Sequence, residues 1–401
     1  MKHYLQLLLF FIAGCSSPLP RETLLTIDIE KAFNNAYDIF LSDFADAAEY
    51  ISLETLPESL TGGYLRVFAT DRHIIAISFR HNHLFDRRTG KFIREIGHYG
   101  RGPNEFMATN IVVPFDESRQ TIRCANFQMG EYEFDLDGKV IRTLTYPSND
   151  RIHQNVMRGM IPINEDCFVT YIINYDGDEP DKLLLFDGEG NVSNRFSNYH
   201  SFVSDPNRSS YYGFTFYKWE NDVFFYEDCV DTLFQITKDQ IAPYYCFHLG
   251  KYNPPYSEKQ NMSWPLEDPL RTKYFRFQTI NESSRFLFFS FWYGKINPET
   301  NRSSHYFGFY DKKMGITKVS KVDYTEGTPV INDLDHFAPL HPFLWNINQS
   351  GEMVTYIEAS EIVEWVKKNH ERAKSLPEQL KQLAALPLDT NPVVVIAKLK
   401  E

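Results

Sequence analysis

Cysteine is scarce in this chain. Only five of the 401 residues are cysteines, and none of them forms a Cys-x-x-Cys motif. That motif is typical of thioredoxin-like redox sites and of zinc ribbons, so both classes are excluded. One cysteine lies near the N-terminus, and the others are Cys124, Cys167, Cys229 and Cys246. Three of these four lie in apolar, strand-like runs, where a cysteine packs as a small core residue. If all four were paired, three connectivities would be open.

Familiar catalytic motifs are also missing. The sequence contains no Gly-x-Ser-x-Gly elbow, no Ser-x-x-Lys motif and no Walker-type phosphate loop. His370-Glu371 begins a zincin-like motif, but Lys374 occupies the position of the second histidine. Basic residues are outnumbered, 41 against 53 acidic ones, which gives a net charge of −12. A nucleic-acid-binding protein needs a basic surface, so that class is excluded as well.

Long apolar runs are absent, and the one short run lies at the N-terminus. Tyr4 to Ile12 is apolar over nine residues, too few for a bilayer span of about 20 residues. Lys2 precedes the run, and Ala13-Gly14-Cys15 closes it. This arrangement resembles the lipobox of bacterial lipoproteins, in which the chain is cleaved before the cysteine and the thiol carries diacylglycerol. We therefore predict a lipoprotein signal peptide over residues 1–14 and a tether lipidated at Cys15 over residues 15–23. An ordinary signal peptide that happens to contain Cys15 is the alternative.

From Leu24 onward the pattern is of the β type. Leu24–Ile29 and Tyr50–Glu54 alternate with a period of two, as half-buried strands do. After them a unit recurs: an apolar strand, a turn, a strand that ends in an aromatic residue, a glycine-containing turn and another strand. The aromatic residues that mark the copies are Phe85, Phe134, Phe186, Phe234 and Tyr310.

The marker residues are 49, 52, 48 and 76 positions apart. A period of about 50 residues with four short strands per unit is typical of a β-propeller. The longer last step indicates an insertion, which we place in the proline-rich stretch Tyr252–Leu270. The length of the body allows six or seven blades, and six is favoured because the tail is partly helical. We therefore predict an all-β fold, a single six-bladed β-propeller with four-stranded antiparallel blades over residues 24–401.

The C-terminal tail contains the only predicted helices. Ser360 is the expected N-cap of a helix that runs to about Lys374, with Ile362 and Trp365 on its apolar face. Pro377 opens a second short helix. We expect these helices to form a short insertion near the C-terminus of the propeller.

Both ends of the chain carry strand patterns that lack a unit of their own. Pro392–Leu399 returns to a β pattern at the extreme C-terminus. Leu24–Ile29 and Tyr50–Leu53 are the matching strands at the N-terminus. We expect one blade to take strands from both ends, because this closes the ring and leaves no open sheet edges.

Three glycines and a proline fall within the ten residues Gly97–Phe106. They follow the β-like run Lys91–Ile96, so a strand ends there in a tight turn. Such a loop can point backbone N–H groups at a phosphate, but a dinucleotide-binding loop leads into a helix. This loop leads instead into the β-branched run Met107–Pro114. We therefore interpret it as the joint between two β-units, with Phe106 filling the gap between them, and keep a phosphate cradle as the alternative.

Several segments occur in the order found in a known group of proteins. They are Tyr50–Thr55, Ile96–Phe106, Asp231–Phe234, His248–Tyr252 and Asn391–Val395. In these segments and in the lipobox the chain resembles the six-bladed β-propeller lipoproteins of bacterial cell envelopes, which are related in fold to NHL-repeat and TolB-like propellers. The resemblance implies the fold. It says little about function, because members mostly lack an assigned activity and a fold does not determine one.

Two patterns are candidates for metal binding. His81-Asn82-His83 places two histidines on one face of a strand, although an exposed strand or turn is the favoured interpretation. Asn174–Asp181 resembles the start of a calcium loop. In an EF-hand, however, Glu179 would be glycine and Leu185 would be glutamate. A solvated hairpin loop is therefore favoured there over a looser carboxylate site.

Asn332-Asp333-Leu334-Asp335-His336 is the densest group of acceptors after the glycine-rich loop. It follows the strand-like Pro329–Ile331, so we expect it at a strand end on one face of the ring. Turn formation and capping are favoured, and a metal or general-base site at Asp333 and Asp335 is the alternative.

Two aromatic runs have a comparable ambiguity. Tyr211–Trp219 and Phe286–Tyr293 could offer faces on which sugars stack. Aromatic side chains also fill the wedges between propeller blades, where each buries a large area. Core packing is therefore the favoured interpretation.

We predict from these observations a binding or scaffold module for a protein, peptide or glycan ligand that binds at the central funnel. The candidate ligand-binding residues on the propeller face are Arg101, Asn104, Glu105, Asn332, Asp333 and Asp335. The alternative is a propeller hydrolase or lyase with a metal site in the central channel. An enzyme of that kind needs several acidic or histidine ligands that converge at the channel mouth, whereas a binding protein does not. A non-enzymatic role is favoured.

The remaining expectations concern cofactors, partners and location. We expect no cofactor, with a divalent cation as the alternative. The predicted protein is a monomer that contacts the membrane through its lipid anchor only, binds an envelope protein, peptide or glycan, and does not bind nucleic acid. We place it in the cell envelope, on the periplasmic or the cell-surface face.

Overall fold

The computed structural model describes residues 24–63, 65–109, 113–126, 130–148, 157–205, 213–259, 272–297, 302–321, 330–340 and 345–401. The predicted signal peptide, the lipidation site Cys15 and the tether lie outside these residues. Most of the predicted insertion at Tyr252–Leu270 and the start of the first aromatic run also lie outside them.

The described residues form 28 strands, most of them between four and eight residues long. In chain order they are β1 (Thr26–Asp28), β2 (Ala45–Ser52), β3 (Arg66–Ala69), β4 (His73–Ile77), β5 (Asn82–Asp86), β6 (Phe92–Glu95), β7 (His98–Tyr99), β8 (Glu105–Phe106), β9 (Ala108–Thr109), β10 (Phe115–Asp116), β11 (Thr121–Ala125), β12 (Gly130–Asp135), β13 (Val140–Thr145), β14 (Met157–Pro162), β15 (Phe168–Ile172), β16 (Asp181–Phe186), β17 (Val192–Ser197), β18 (Phe214–Trp219), β19 (Asp222–Glu227), β20 (Thr232–Ile236), β21 (Ile241–His248), β22 (Arg276–Glu282), β23 (Phe286–Asn297), β24 (Arg302–Asp311), β25 (Ile316–Val319), β26 (Asn346–Ile347), β27 (Glu352–Ile357) and β28 (Val393–Leu399).

Six antiparallel sheets follow one another along the chain, and each is one blade of a propeller. Blade 1 is β3–β6, blade 2 is β10–β13, blade 3 is β14–β17, blade 4 is β18–β21 and blade 5 is β22–β25. The short strand β9 also pairs with β11 of blade 2. The predicted six-bladed β-propeller with four-stranded blades is therefore confirmed.

Blade 6 is built from both ends of the chain. Its strand order is β2-β28-β27-β26, so that the N-terminal strand β2 forms the outer edge of a sheet whose other strands are C-terminal. The register runs from Ala45 opposite Leu399 to Ser52 opposite Val393. This pairing confirms the predicted closure for Tyr50–Leu53 and Pro392–Leu399. It ties the two ends together, as ring closure requires.

The first N-terminal strand has a different place from the one predicted. β1 does not enter blade 6. It pairs in parallel with β21 as a fifth, outermost strand of blade 4, with Ile27 opposite Phe247. The chain then forms the short helix α1 (Ile29–Asn34) and makes isolated parallel bridges from Tyr37 to Ser320 and from Phe40 to Ile331. It reaches β2 through the helix α2 (Leu41–Phe44). The N-terminal segment thus runs along the outside of blades 4, 5 and 6.

The C-terminal helices lie between β27 and β28, as an insertion in blade 6. They are α3 (Ala359–Lys368), α4 (His370–Lys374) and α5 (Glu378–Ala384). The predicted insertion is confirmed. The prediction of a single helix to Lys374 is wrong, because the first helix ends at Lys368 and Asn369 separates it from the next. The N-cap is Glu358 rather than Ser360, and Pro377 precedes the last helix as expected. Single turns of 3-10 helix occur at Pro57–Ser59, Gly250–Tyr252 and Tyr256–Glu258.

Aromatic side chains form the core between blades. All five predicted marker residues lie in the third strand of their blade, in β5, β12, β16, β20 and β24. Phe286, Leu287, Phe288, Phe289 and Phe291 of the second aromatic run are completely buried in β23. The preference for core packing over an exposed sugar-stacking face is correct for these residues. Neighbouring blades are arranged radially, so a wedge-shaped space lies between them. Large aromatic side chains fill that space and allow the blades to pack against each other.

Two opposite faces of the ring matter for function. We call the first the inner-turn face, which carries the turns between the first and second strand of each blade. These turns comprise residues 70–72, 117–120, 163–167, 220–221, 283–285 and 348–351. At the opposite face, the connection face, the chain enters the first strand of each blade from the preceding blade.

Candidate functional site

A cavity of about 1180 Å³ lies at the centre of the ring. Its wall contains residues from the first strand of every blade, and its rim contains the inner turns. One wall residue from each blade, in order, is Arg66, Phe115, Pro162, Lys218, Glu282 and Asn346. Because all six blades contribute, the cavity is axial and is reached from the inner-turn face. We call it the axial cavity.

Polar contacts cross the axial cavity between blades that are not neighbours. Lys218 Nζ in blade 4 lies 3.5 Å from Asp116 Oδ2 in blade 2. Glu117 Oε2 in blade 2 accepts a hydrogen bond of 2.8 Å from the backbone N–H of Gln349 in blade 6. Burial would raise the pKa of Asp116, but Lys218 and the Ser118 hydroxyl outweigh that effect and the pKa is lowered. The cavity is therefore a charged, partly bridged chamber rather than an open tube.

Several titratable groups in the wall have displaced pKa values. Burial, reinforced by the charges of Asp71 and Glu352, raises the pKa of Glu117 to about 7. Burial lowers the pKa of Arg66 to about 10. The pKa of Glu282 is also raised by burial, although Lys312 opposes the shift. Displaced pKa values that cluster in a cavity are a physical indication of a functional site.

The glycine-rich loop lies in the connection from blade 1 to blade 2, as predicted. Its strands β7 and β8 pair in parallel, and Phe106 is completely buried with residues of both blades around it. Gly97 has a φ of +68°, and a Cβ atom there would lie 3.0 Å from the Phe134 ring. A side chain at this position would therefore be strained and would press on the wedge between the blades.

The loop does not form a phosphate cradle. The N–H of Gly100 donates to the Phe106 carbonyl, and the N–H of Gly102 donates to the Glu105 carboxylate at 2.7 Å. Both donors are therefore used within the loop. Glu105 holds the loop together, whereas Arg101 and Asn104 are exposed. Asn104 has a φ of +64°, a conformation that asparagine tolerates better than most residues.

The second predicted group, at Asn332–Asp335, ties the N-terminal segment to the connection between blades 5 and 6. Asp333 accepts hydrogen bonds from the backbone N–H and the hydroxyl of Ser42, at 3.0 and 2.5 Å. Asp335 accepts from the Tyr50 hydroxyl and from the Asn332 amide, both at 2.8 Å. These contacts agree with the favoured role in capping and turn formation. None of the six predicted ligand-binding residues lines the axial cavity.

A buried charge cluster surrounds Glu227, and no sequence pattern predicted it. The Glu227 carboxylate accepts hydrogen bonds from Lys182 at 2.6 Å, from Tyr171 at 2.8 Å, from Tyr256 at 3.2 Å and from Lys259. Burial alone would raise the pKa of Glu227, but the two ammonium groups outweigh it and hold the pKa far below its usual range. The five residues come from β15, β16, β19 and the connection after blade 4. No motif or spacing in the sequence joins them.

Another group brings together three histidines and a carboxylate in blade 1 and the connection that follows it. His81 Nδ1 lies 2.8 Å from Glu95 Oε1, and His98 Nδ1 lies 3.5 Å from the other carboxylate oxygen. His83 stacks on His81 with ring centroids 5.3 Å apart. Burial, against the attraction of Glu95, lowers the pKa of His83 to about 4. None of these residues lines the axial cavity.

The other metal candidates do not assemble into ligand groups within the described residues. The Asn174 side-chain carbonyl accepts the Glu179 N–H at 3.0 Å, so this loop is held by its own hydrogen bonds. In α4, Lys374 forms an ion pair with Glu371 at 2.9 Å, where a zincin would have a second histidine. Across the described chain, His81, His83 and Glu95 are the single group of three such side chains close enough to share an ion.

The architecture and the cavity define the molecule as a six-bladed β-propeller with an axial chamber. The chain belongs to the family of the domain of unknown function DUF4934, whose model matches residues 24–398. A search among curated proteins finds no match.

Solved structures agree on the fold. A crystal structure of a protein of Bacteroides fragilis NCTC 9343, described as exported, is similar with a TM-score of 0.69 and 14% identity, over 94% of this chain and 100% of that chain. The GH74 enzyme of Niastella koreensis is similar with a TM-score of 0.35 and 10% identity, over 69% of this chain and 38% of that chain. The second likeness is too weak to carry an argument.

None of the helices in the described residues has the length and apolar character needed to cross a bilayer.

Proposed function

We propose that this protein is a cell-envelope propeller that binds a protein, peptide or glycan in its axial cavity. The observation that carries the proposal is the cavity itself, to which all six blades contribute wall residues and in which charged groups have displaced pKa values. Ligand sites in proteins are concave and combine apolar walls with a few placed polar groups. Arg66 and Lys218 supply cationic groups, and Phe68, Phe115 and Trp219 supply aromatic surface.

The size of the cavity favours a ligand larger than a typical metabolite. A volume of about 1180 Å³ exceeds the range of roughly 300–1,000 Å³ that is usual for small-molecule pockets. The rim, formed by the inner turns, carries exposed polar groups such as Glu165, Asn221 and Gln349. A chain end, a loop or a short glycan that enters from the inner-turn face would contact these groups first.

The proposed location rests on two supports. The lipobox-like Ile12–Cys15 predicts an anchor on Cys15, and the similar Bacteroides fragilis protein is described as exported. We assign the protein to the cell envelope, held at the membrane by lipid on Cys15. Kinship with NHL-repeat and TolB-like propellers belongs to the same proposal, because it rests on the resemblance of the sequence.

A metalloenzyme with its ion in the channel is the second candidate, and two observations weigh against it. The group of side chains that could hold a metal within the described residues is in blade 1 and not in the axial cavity. The carboxylates of the cavity wall already accept hydrogen bonds: Glu282 from Tyr217 and Tyr244, and Glu117 from Gln349. A binding role therefore remains favoured.

The test is a binding screen with a matched pair of variants. Purified full-length protein would be probed with a glycan array and with a library of envelope-derived peptides. Lys218→Gln removes a cationic group from the cavity wall, and Lys139→Gln removes an exposed lysine of blade 2 outside the cavity. Hits should bind Lys139→Gln like the wild type and Lys218→Gln at least about tenfold more weakly, because a charged hydrogen bond is worth about 1.5–3 kcal/mol. Circular dichroism would confirm that both variants are folded.

Two results would overturn the proposal. One is a set of hits that all bind Lys218→Gln as tightly as the wild type, because none of them would then use the cationic wall of the axial cavity. The other is a divalent cation that copurifies with the protein and is lost when Asp116 and Glu117 are replaced by Asn and Gln. That result would favour the metalloenzyme.

A further inference from the structure

The β5–β6 hairpin of blade 1 places three potential metal ligands at one point. His83 in β5 is directly opposite Glu95 in β6. His81 precedes His83 by two residues, and side chains two apart on an extended chain point to the same side. Hydrogen bonds between Ser78 and the backbone of His81 hold the turn that leads into β5. The arrangement therefore follows from strand register and does not depend on a flexible loop.

The distances suit a shared ion. One ring nitrogen of each histidine and one oxygen of Glu95 all lie within 4.8 Å of one another. Bonds of about 2.0–2.1 Å to a tetrahedral ion would place the donor atoms roughly 3.4 Å apart. His81 and Glu95 are partly exposed and can close that gap by small rotations, whereas His83 is held in place by the Phe85 and Phe92 rings.

A second, independent observation concerns His83. Its side chain is 1% exposed, and its Nδ1 is buried without a hydrogen-bond partner among the described residues. A buried polar atom without a hydrogen-bond partner destabilises the folded state, so such atoms are rare in proteins unless they serve a purpose. One nitrogen of this ring is among the donor atoms that lie close together with those of His81 and Glu95. An ion bound there would give this ring a partner that no neighbouring residue supplies.

We propose that His81, His83 and Glu95 form a site for a divalent transition-metal ion, with Zn²⁺ as the best match. Two imidazoles and one carboxylate are a donor set that zinc prefers, whereas calcium and magnesium prefer oxygen ligands alone. Three protein ligands leave a fourth position open to water or to a donor atom of a bound partner. His98 Nδ1 lies 3.5 Å from the other oxygen of Glu95. The site is separate from the axial cavity and does not depend on the function proposed for it.

The experiment is a zinc titration of the full-length protein after removal of metals with a chelator. Isothermal titration calorimetry and native mass spectrometry should show one Zn²⁺ per chain. His81→Ala and Glu95→Gln should each weaken zinc binding at least about tenfold, since they remove a ligand. His83→Phe should do the same while keeping an aromatic ring in the packing. The Co²⁺-loaded wild type should show the visible absorption of a tetrahedral site, and the variants should lose it.

His248→Ala is the matched control. His248 Nε2 lies 3.4 Å from Glu30 Oε2, an exposed histidine–carboxylate pair with no second histidine in the described residues close enough to complete a metal site. Zinc affinity of this variant should stay within about threefold of the wild type. A thermal melt without zinc would show that each variant is folded. The proposal is overturned if the wild type shows no saturable binding, or if His81→Ala binds zinc as tightly as His248→Ala.

Discussion

Arg87 in blade 1 and Glu352 in blade 6 form a two-pronged ion pair, in which both N···O distances are 2.9 Å. Arg87 also lies 3.2 Å from Glu49 of β2 and donates to the Thr70 carbonyl. The pair joins the first blade to the blade that is built from both ends of the chain. It is partly buried, with 15% and 19% of the two side chains exposed. The seam where the ring closes is therefore held by charge as well as by β2 pairing with β28.

We expect Arg87→Met to destabilise the protein by about 1.5–3 kcal/mol, because it removes charged hydrogen bonds from a partly buried carboxylate. Arg94→Met is the control. Arg94 forms a single ion pair with Asp137, also between neighbouring blades, but 44% and 82% of these side chains are exposed. Its loss should cost less than about 1 kcal/mol. Urea unfolding followed by circular dichroism would measure both changes, and equal losses would contradict a special role of the seam.

Phe106 should be the most sensitive residue of the glycine-rich loop. It is fully buried between blades 1 and 2, and its ring centroid is 6.3 Å from that of Phe134. Phe106→Ala should cost about 3–5 kcal/mol through lost burial and the cavity that it leaves. Tyr99→Ala, in the same loop but 44% exposed, should cost less than about 1 kcal/mol. Thermal melts of the two variants would measure both losses. Similar melting temperatures would contradict the interpretation that Phe106 fills the gap between blades 1 and 2.

Glu227 should be essential for the stability of the buried charge cluster. Glu227→Gln would leave the ammonium groups of Lys182 and Lys259 buried without a counter-charge, at a cost of about 3–5 kcal/mol. Because the folded-state pKa is depressed, the contribution of the carboxylate is present above its ordinary pKa of 4.5 and is lost as the pH falls below it. The free energy of unfolding should therefore fall less steeply with decreasing pH in the variant than in the wild type. Glu189→Gln, on the exposed surface, should match the wild type in melts across this pH range.

Glu117 should produce the opposite pH dependence. Its pKa is raised from 4.5 to about 7, so between these values the folded state binds more protons than the unfolded state. The contribution of this group to stability therefore falls as the pH rises from about 4.5 to 7. Glu117→Gln should remove this slope and stabilise the protein at pH 8 by about 1 kcal/mol, a value reduced for the solvent in the cavity. Glu220→Gln, at the exposed rim, should leave the slope unchanged.

Cys15 should be the attachment site of the lipid anchor. Cys15→Ser removes the thiol that would carry diacylglycerol, and we expect the protein to leave the detergent phase in a Triton X-114 partition. Metabolic labelling with a fatty acid should mark the wild type and not the variant. An unchanged partition of Cys15→Ser would contradict the anchor.

Much of the fold could be predicted because its signal is local. The marker residues of blades 1 to 5, such as Phe85 and Phe186, lie in short apolar strands that are bounded by turns. Repetition of that unit at intervals of about 50 residues indicates a propeller. The closing strand at Tyr50–Leu53 followed from the same reasoning. The strand at Leu24–Ile29 was assigned to the wrong sheet, because an alternating pattern shows that a strand is half-buried but not which edge it joins.

The candidate sites also differ in whether their residues are close together in the sequence. The predicted residues came from dense local patterns. Acceptors in these patterns, such as Asp333 and Glu105, accept hydrogen bonds from other residues of the protein and are not directed at a ligand. The glycine-rich loop was correctly interpreted as a joint between blades for that reason. The axial cavity and the Glu227 cluster combine residues from several blades, and nothing in their sequence neighbourhoods marks them. His81 and His83 were visible as a pair, but Glu95 became their partner only through the β5–β6 register.

The sequence by itself indicated the repeating blade unit, favoured six blades over seven, and predicted the helical insertion and the closure of the ring by strands from both chain ends. These follow from preferences that act within a few residues or repeat along the chain. Only the tertiary structure decided which charges meet, because such pairs depend on the angle and register between blades. Arg87 and Glu352 are 265 residues apart, and they form an ion pair because ring closure places blade 6 next to blade 1.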